Sequence, residues 1–267
     1  MAMESMRLVG TVRLAPDSAR PGERVIAAET PVAISFLGIG YAVMMATPAD
    51  LEDFGLGFAL SERIIDTADQ VTAISIEEEG RGILLNLELQ RGCEERVLAR
   101  VRHRVSESSC GLCGVENLDQ ALRPLPLVPA PASAITRAAI FGALDRLGEH
   151  QPLSRGTGAV HAAALFDPAG ALLAVREDVG RHNAMDKLVG HCLRSGTFMS
   201  AGFVLLTSRC SYELVEKAAL AGIALLVTVS APTTLAVARA QEAGLTLIAL
   251  ARADEMLVMS DPHQLFG

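Results

Sequence analysis

Four apolar runs in the second half of the chain constrain the fold most: ALLAVRED (171–178), FVLLTS (203–208), IALLVTVS (223–230) and LTLIALA (245–251). Helix-like stretches separate them. HNAMDKLVGHCLRSG (182–196) closes on Gly196, SYELVEKAALAG (211–222) stops at Gly222, and a third starts at Pro232 and ends at Gly244. Ser133 to His150 also reads as helical. Runs so poor in polar residues fit strands buried on both faces, and helices must supply the cover. The pattern predicts an α/β architecture with a largely parallel sheet. Ligands of such sheets gather at the carboxyl ends of the strands.

The first hundred residues follow a different rule. RLVGTVRL (7–14), ERVIAAE (23–29), PVAISFLG (31–38) and YAVMMA (41–46) are short runs punctuated by turn residues, as in antiparallel strands. VTAISIEEE and GILLNLEL flank Gly80-Arg81-Gly82, a hairpin signal. One helix interrupts, with Thr47 as the expected N-cap, Pro48 at its first position and acids in its first turn. RPLPLVPAP (123–131) carries four prolines and cannot be helix or central strand. It divides the chain into a β-rich domain, 1–125, and an α/β domain, 126–267.

Composition narrows the function. The formal charge of -8 supplies no bulk basic field for nucleic acid or an anionic membrane. Aromatic residues are few and tryptophan is absent, so base-stacking platforms are not expected. No apolar run reaches the ~20 uncharged residues of a bilayer span. Residues 1–20 lack the apolar core of a signal peptide. Five cysteines, only two of them closely spaced, do not make a disulfide framework, so the expected compartment is the reducing cytoplasm.

Polar residues crowd the predicted strand ends. The densest block runs Arg176-Glu177-Asp178-Val179-Gly180-Arg181-His182-Asn183, followed by Asp186 and Lys187. Asn183 and Asp186 read as a loose capping box, which leaves Glu177, Asp178, Arg181, His182 and Lys187 to explain. Gly156 and Gly158 sit before His161, and closely spaced glycines can turn backbone N–H groups toward an anion. Arg209 stands at a strand-to-helix junction and Arg252 after the last apolar run.

Cys110 and Cys113 lie in SSCGLCGV (108–115). A zinc site would need about four ligands, and Cys93, Cys192 and Cys210 offer no second closely spaced pair. A thioredoxin-like pair usually follows a strand near the start of a βαβ unit; this one precedes a glycine, a short helix and the proline-rich segment. A carrier thiol is the third reading, with Gly111 and Gly114 flanking it. Spacing alone leaves all three open.

The ordered set MATPADLEDF (45–54), SSCGLCG (108–114), GAVHAAAL (158–165), EDVGRHNAMDKLVG (177–190), SYELVEKA (211–218) and APTTLA (231–236) resembles the FdhD proteins over nearly the whole chain. The resemblance implies a cytidine-deaminase-like three-layer α/β/α core in the C-terminal part and a homodimer. It implies a sulfur carrier needed for formate dehydrogenase activity. Such a carrier accepts sulfane sulfur from a cysteine desulfurase as a cysteine persulfide. It passes that sulfur to the molybdenum cofactor, a bis-molybdopterin guanine dinucleotide, before insertion into the formate dehydrogenase apoenzyme. Cys110 falls on the persulfide position and Cys113 on its partner. The cofactor-associated stretch falls on Ile248, Ala249, Leu250, Ala251, Arg252 and Ala253, at the end of the expected last strand. Gly156, Gly158, His161, Asp178, Arg181, His182, Lys187 and Arg209 complete the expected rim.

Two alternatives remain beside it. One is a non-catalytic guanine-nucleotide chaperone whose cysteines bind zinc or are redox-active. The other, zinc deamination, is disfavoured. That chemistry needs a metal ligand two residues before a glutamate, then P-C-x-x-C, whereas Ala162-Ala163 follow His161 and no proline precedes Cys110. Two positions depart from the family pattern: Ser208 and Arg63 stand where glycine is expected.

Overall fold

A computed structural model describes residues 4–106 and 122–267, so Cys110 and Cys113 lie outside the described residues. Strands β1 (Met6–Ala15) and β2 (Ser18–Ala27) form a separate hairpin. Strands β3 (Thr30–Phe36), β4 (Ile39–Ala46), β5 (Val71–Glu79) and β6 (Gly82–Leu89) make a second sheet in the order β4-β3-β6-β5. Its strands alternate buried and exposed positions, because one face covers the core and the other meets solvent. Helix α1 (Leu51–Ser61) follows β4, and α2 (Glu94–Ser106) follows β6.

Helix α3 (Arg137–Leu147), capped by the Thr136 hydroxyl accepting from Ala139 N at 3.1 Å, opens the second half. Then come α4 (Pro152–Thr157), β7 (His161–Phe166), β8 (Leu172–Asp178), α5 (Arg181–Ser195) and β9 (Phe203–Leu206). The chain continues through α6 (Tyr212–Leu220), β10 (Leu225–Thr228), α7 (Thr234–Glu242), β11 (Thr246–Ala249) and β12 (Leu257–Ser260). The sheet order is β12-β11-β10-β9-β7-β8.

The sheet is mixed rather than largely parallel. The β9–β10 and β10–β11 pairs are parallel, whereas β7 runs antiparallel to both β8 and β9, and β12 antiparallel to β11. Short links cause this: five residues join β7 to β8 and seven join β11 to β12, neither link holds a crossover helix, and so each pair reverses direction. The expected last strand is therefore the penultimate one. Cover on both faces is present. Ala164, Phe166, Leu205, Val227 and Ile248 pack with Ile140 and Leu147 of α3, while Ala163, Leu165, Val204, Leu226 and Leu247 join the core under α5, α6 and α7.

That second core does not stop at the proline-rich segment. It runs continuously into Phe54 and Phe58 of α1 and Val32, Leu85 and Leu87 of the four-stranded sheet. Val128, inside the proline-rich stretch, is buried and donates its N–H to Ala243 O at 2.8 Å. Helices α1 and α5 cross backbone to backbone. A Cβ on Gly57 would lie 1.8 Å from Asp186 O, and one on Gly190 1.8 Å from Asp53 O. Glycine is required at both positions for that approach, although each weakens its helix intrinsically.

Several expected caps are elsewhere. Helix α1 begins after Asp50 in the left-handed region (φ 52°) with no side-chain cap. Thr47 is instead fully buried, and its hydroxyl accepts from Val179 N at 3.1 Å. Helix α5 begins after Gly180, which places Asn183 and Asp186 inside it. Pro232 forms a bridge with Cys210, and α7 is capped by Thr233. At both departures the conformation is on view. Arg63 has φ 60°, which glycine adopts without strain, and is held by its Nη2 donating to Pro124 O at 2.9 Å. Ser208 is buried, with its hydroxyl donating to Arg209 O at 3.0 Å.

Candidate functional site

Strand direction brings the sequence-predicted residues to one edge of the six-stranded sheet. β7 is antiparallel to β9, so its first residue, His161, stands at the edge where β9, β10 and β11 end. His161 pairs in register with Asp178, the last residue of β8. Arg181 and His182 begin α5, Arg209 follows β9, and Leu250 to Ala253 follow β11 at the same edge.

Within that edge the residues divide by role. Asp178 and Lys187 are sealed from solvent and form an ion pair at 2.6 Å. Lys187 also donates to Thr47 O at 2.8 Å. Asp178 Oδ2 accepts from Thr47 N (3.0 Å), and Oδ1 accepts from Gly180 N (2.7 Å) and Asn183 Nδ2 (3.0 Å). The Asn183 amide also donates to Met45 O at 2.8 Å. Burial lowers the pKa of Lys187, and the Asp178 carboxylate opposes that. Every polar group in this knot is spent internally, so it ties the β4–α1 connection to α5. Among the described residues neither charge lines the cavities that follow.

The Gly156–Gly158 stretch is a helix end rather than an anion-binding turn. Gly156 is inside α4, and Gly158 is its left-handed C-cap (φ 69°) with its N–H on Ser154 O at 2.7 Å. The N–H groups that open α4, on Leu153 and Ser154, are taken by the Glu177 carboxylate at 2.9 and 2.8 Å. The protein fills that helix terminus with its own acid.

The accessible groups line two cavities. The first, about 590 Å³, lies between β4, the ends of α1 and α2, and the starts of α5 and α6; its wall includes Glu62, Arg100, Arg123, His182, Tyr212 and Lys217. His182 Nε2 sits 3.2 Å from a Glu213 carboxylate oxygen. Burial nonetheless pushes the imidazole from 6.5 down to about 4, with Glu213 opposing and Arg181 and Lys217 adding to the fall. The ring is neutral near pH 7 and can give or take a hydrogen bond. Asp186, buried at the floor, accepts from Ser61 Oγ (2.6 Å) and Lys217 Nζ (2.6 and 2.7 Å). Burial raises the Asp186 pKa against the pull of Lys217.

The second cavity, about 580 Å³, lies between α3 and the ends of β10 and β11, lined by Phe141, Asp145, Val229, Ala251, Arg252 and Ala253. Ile248, Ala249 and Ala251 point into the core, leaving Leu250, Arg252 and Ala253 at the surface. The Arg252 guanidinium is folded onto the carbonyls of Val229 and Ala251. His161 is half-buried, its pKa lowered by burial and then by Arg181. Arg181 Nε is buried with no acceptor among the described residues. Arg209 is exposed. His182 thus joins the first cavity and Arg252 the second.

Sequence reasoning missed Ser61, Tyr212, Glu213, Lys217, Arg100 and Arg123. Tyr212 and Glu213 follow a strand end, the position where ligands of such sheets gather, and that rule could have found them. Arg100 and Arg123 carried no local signal. Among the described residues no group of three histidine, cysteine or acidic side chains could hold a metal. Cys93, Cys192 and Cys210 are buried free thiols. Burial raises all three pKa values, to about 11 for Cys192 and about 12 for Cys210.

Comparison with known proteins agrees with this architecture. The model of the FdhD/NarQ family matches residues 27–266. A sulfur carrier protein FdhD of Agrobacterium fabrum is 42% identical over 256 residues, covering 96% of this chain and 94% of that protein. A sulfur carrier protein FdhD of Variovorax paradoxus is 46% identical over 242 residues, covering 91% and 87%. A crystal structure from Desulfotalea psychrophila, provisionally described as a formate dehydrogenase accessory protein, superposes with a TM-score of 0.75 at 25% identity over 97% of this chain and 98% of that one. This chain belongs to the FdhD/NarQ family.

Proposed function

We propose that this protein is a sulfur carrier acting in formate dehydrogenase maturation. The observation that carries the reading is its 42–46% identity, over most of both chains, to proteins described as sulfur carrier FdhD. The thiols support it. Sulfur exchange needs a reachable thiolate, and the three described cysteines are buried with raised pKa values. Cys110 and Cys113 remain to do the chemistry.

In this reading the Cys110 thiolate attacks the outer sulfur of a desulfurase persulfide. A Cys110 Sγ–S bond forms, and the desulfurase thiolate leaves. Cys113 thiolate then attacks Cys110 Sγ, expelling the outer sulfur as hydrosulfide to the acceptor and closing a Cys110–Cys113 disulfide. A dithiol reductant reopens it. The acceptor is the molybdenum cofactor in its bis-molybdopterin guanine dinucleotide form, carried as cargo before insertion into the dehydrogenase. The neutral His182 imidazole and the Lys217 ammonium in the 590 Å³ cavity can orient its polar groups. Ala251, Arg252 and Ala253, from the cofactor-associated stretch, border a second cavity of about 580 Å³.

The test is a mass spectrum after incubation with a cysteine desulfurase and cysteine. The native chain gains one sulfur, a gain abolished by dithiothreitol and by Cys110→Ala. A sulfur adduct of equal yield on Cys110→Ala removes Cys110 from the role.

A further inference from the structure

Three guanidinium groups gather at one end of the 590 Å³ cavity. Arg100 of α2 and Arg123 line it, and Arg63, which follows α1, lies close enough to both to repel them. The neighbouring acids are mostly committed. Glu216 is held by Arg239 at 2.6 Å, Glu213 by His182 and Asp186 by Lys217. Glu62 accepts from Arg100 at 3.1 Å and from the Tyr41 hydroxyl at 2.6 Å. Arg123 makes no side-chain hydrogen bond or ion pair among the described residues, yet its carbonyl is fixed by the Arg239 guanidinium. Arg63 is fixed in turn by Pro124 O.

Two N–H groups of this cluster, Arg63 Nε and Arg100 Nε, are buried with no acceptor among the described residues. Buried donors of that kind are uncommon, because each forfeits its bond to water. Four cations, Arg63, Arg100, Arg123 and Arg239, face the Glu62 and Glu216 carboxylates, which leaves an excess of positive charge in a partly buried wall. Forked guanidinium donors suit the oxygens of phosphate.

We propose that Arg100 and Arg123, reinforced by Arg63, form an oxyanion subsite that takes a phosphate or diphosphate group. Burial lowers the pKa of Arg63; Glu216 opposes the fall, and Arg100 and Arg239 add to it. Burial also lowers that of Arg123, to which Arg100 and Arg63 add. A bound dianion removes that repulsion. The cavity exceeds what a lone phosphate fills, so the group can be one end of a larger ligand. The subsite stands independently of sulfur carriage.

Isothermal titration of the full chain with inorganic pyrophosphate at low ionic strength tests it. Saturable one-to-one binding is expected, weakened about tenfold in Arg123→Ala. Arg63→Gly, whose positive φ suits glycine, weakens it several-fold, and Arg20→Ala on the β1–β2 hairpin leaves it unchanged. Should Arg123→Ala lose its circular dichroism signal, Arg123→Lys keeps the charge without the fork and still binds more weakly. Tighter binding of a nucleoside diphosphate than of pyrophosphate, with the same arginine dependence, assigns the group to a nucleotide. Equal affinity assigns it to the diphosphate alone. Absence of saturable binding, or affinities unaffected by both the Arg123 and Arg63 changes, overturns the proposal.

Discussion

The buried knot around Asp178 gives an ordered prediction for two substitutions. Asp178→Ala leaves the sealed Lys187 ammonium without its carboxylate and strips the acceptor from Thr47 N, Gly180 N and Asn183 Nδ2. Breaking a buried pair from one side costs about 3–5 kcal/mol. Each stranded donor adds about 1 kcal/mol or more. The sum, about 6 kcal/mol, is comparable to the whole stability of many domains. Lys187→Met removes the other partner but leaves Asp178 with all three N–H donors, and its apolar chain fills most of the same space. Its expected cost is about 3 kcal/mol, near the low end of that range. Urea denaturation followed by circular dichroism reads the difference. With a slope of about 3 kcal/mol/M, Lys187→Met lowers the midpoint by about 1 M and Asp178→Ala by about 2 M. A Lys187→Met chain as unstable as Asp178→Ala, or both within about 1 kcal/mol of native, would falsify the account of this knot as donor-satisfied from the carboxylate side.

Two further outcomes follow from the geometry. Gly190→Ala places a methyl group against Asp53 O where none fits, so α1 and α5 must separate. The expected loss is about 3 kcal/mol or more despite alanine's better helix propensity, and a chain as stable as native in the same urea titration refutes the close crossing. His182 has a folded pKa of about 4 against 6.5 unfolded. The unfolded state therefore binds the proton more tightly. The penalty is absent above about pH 6.5, grows as pH falls, and is complete below about 4, reaching at most about 3 kcal/mol. Native-minus-His182→Gln stability measured across that window should show this slope, and parallel curves contradict it.

Much of the fold was legible because it is encoded locally. Alternation marked the strands of the four-stranded sheet, and glycine stops marked the ends of α5 and α6. Strand direction was not legible. Whether β7 runs with or against β9 depends on which strands pair across forty residues, and the alanine-rich β7 gave no distinct strand signal. Helix α2 passed unnoticed because its many charged residues keep the segment polar on average, although Val97, Val101 and Val105 recur at helical spacing. At the candidate site, the polar block from Arg176 to Lys187 straddles the end of β8 and the start of α5, at the edge where β9, β10 and β11 end. Which members face a cavity could not be read from it: Lys187 is sealed while His182 is reachable, and both are polar residues in one helix. Thr47 and Asn183 looked like caps because local rules were applied to residues that serve contacts more than 130 positions apart.

Helix α1 is gripped from two sides, by the β-rich sheet and by α5 at van der Waals distance along the main chain. Such a joint leaves no hinge. The walls of the 590 Å³ cavity that come from the two halves cannot swing apart like jaws, so a cargo must thread into a mould already cast, and severed halves of this polypeptide would each expose a raw interior.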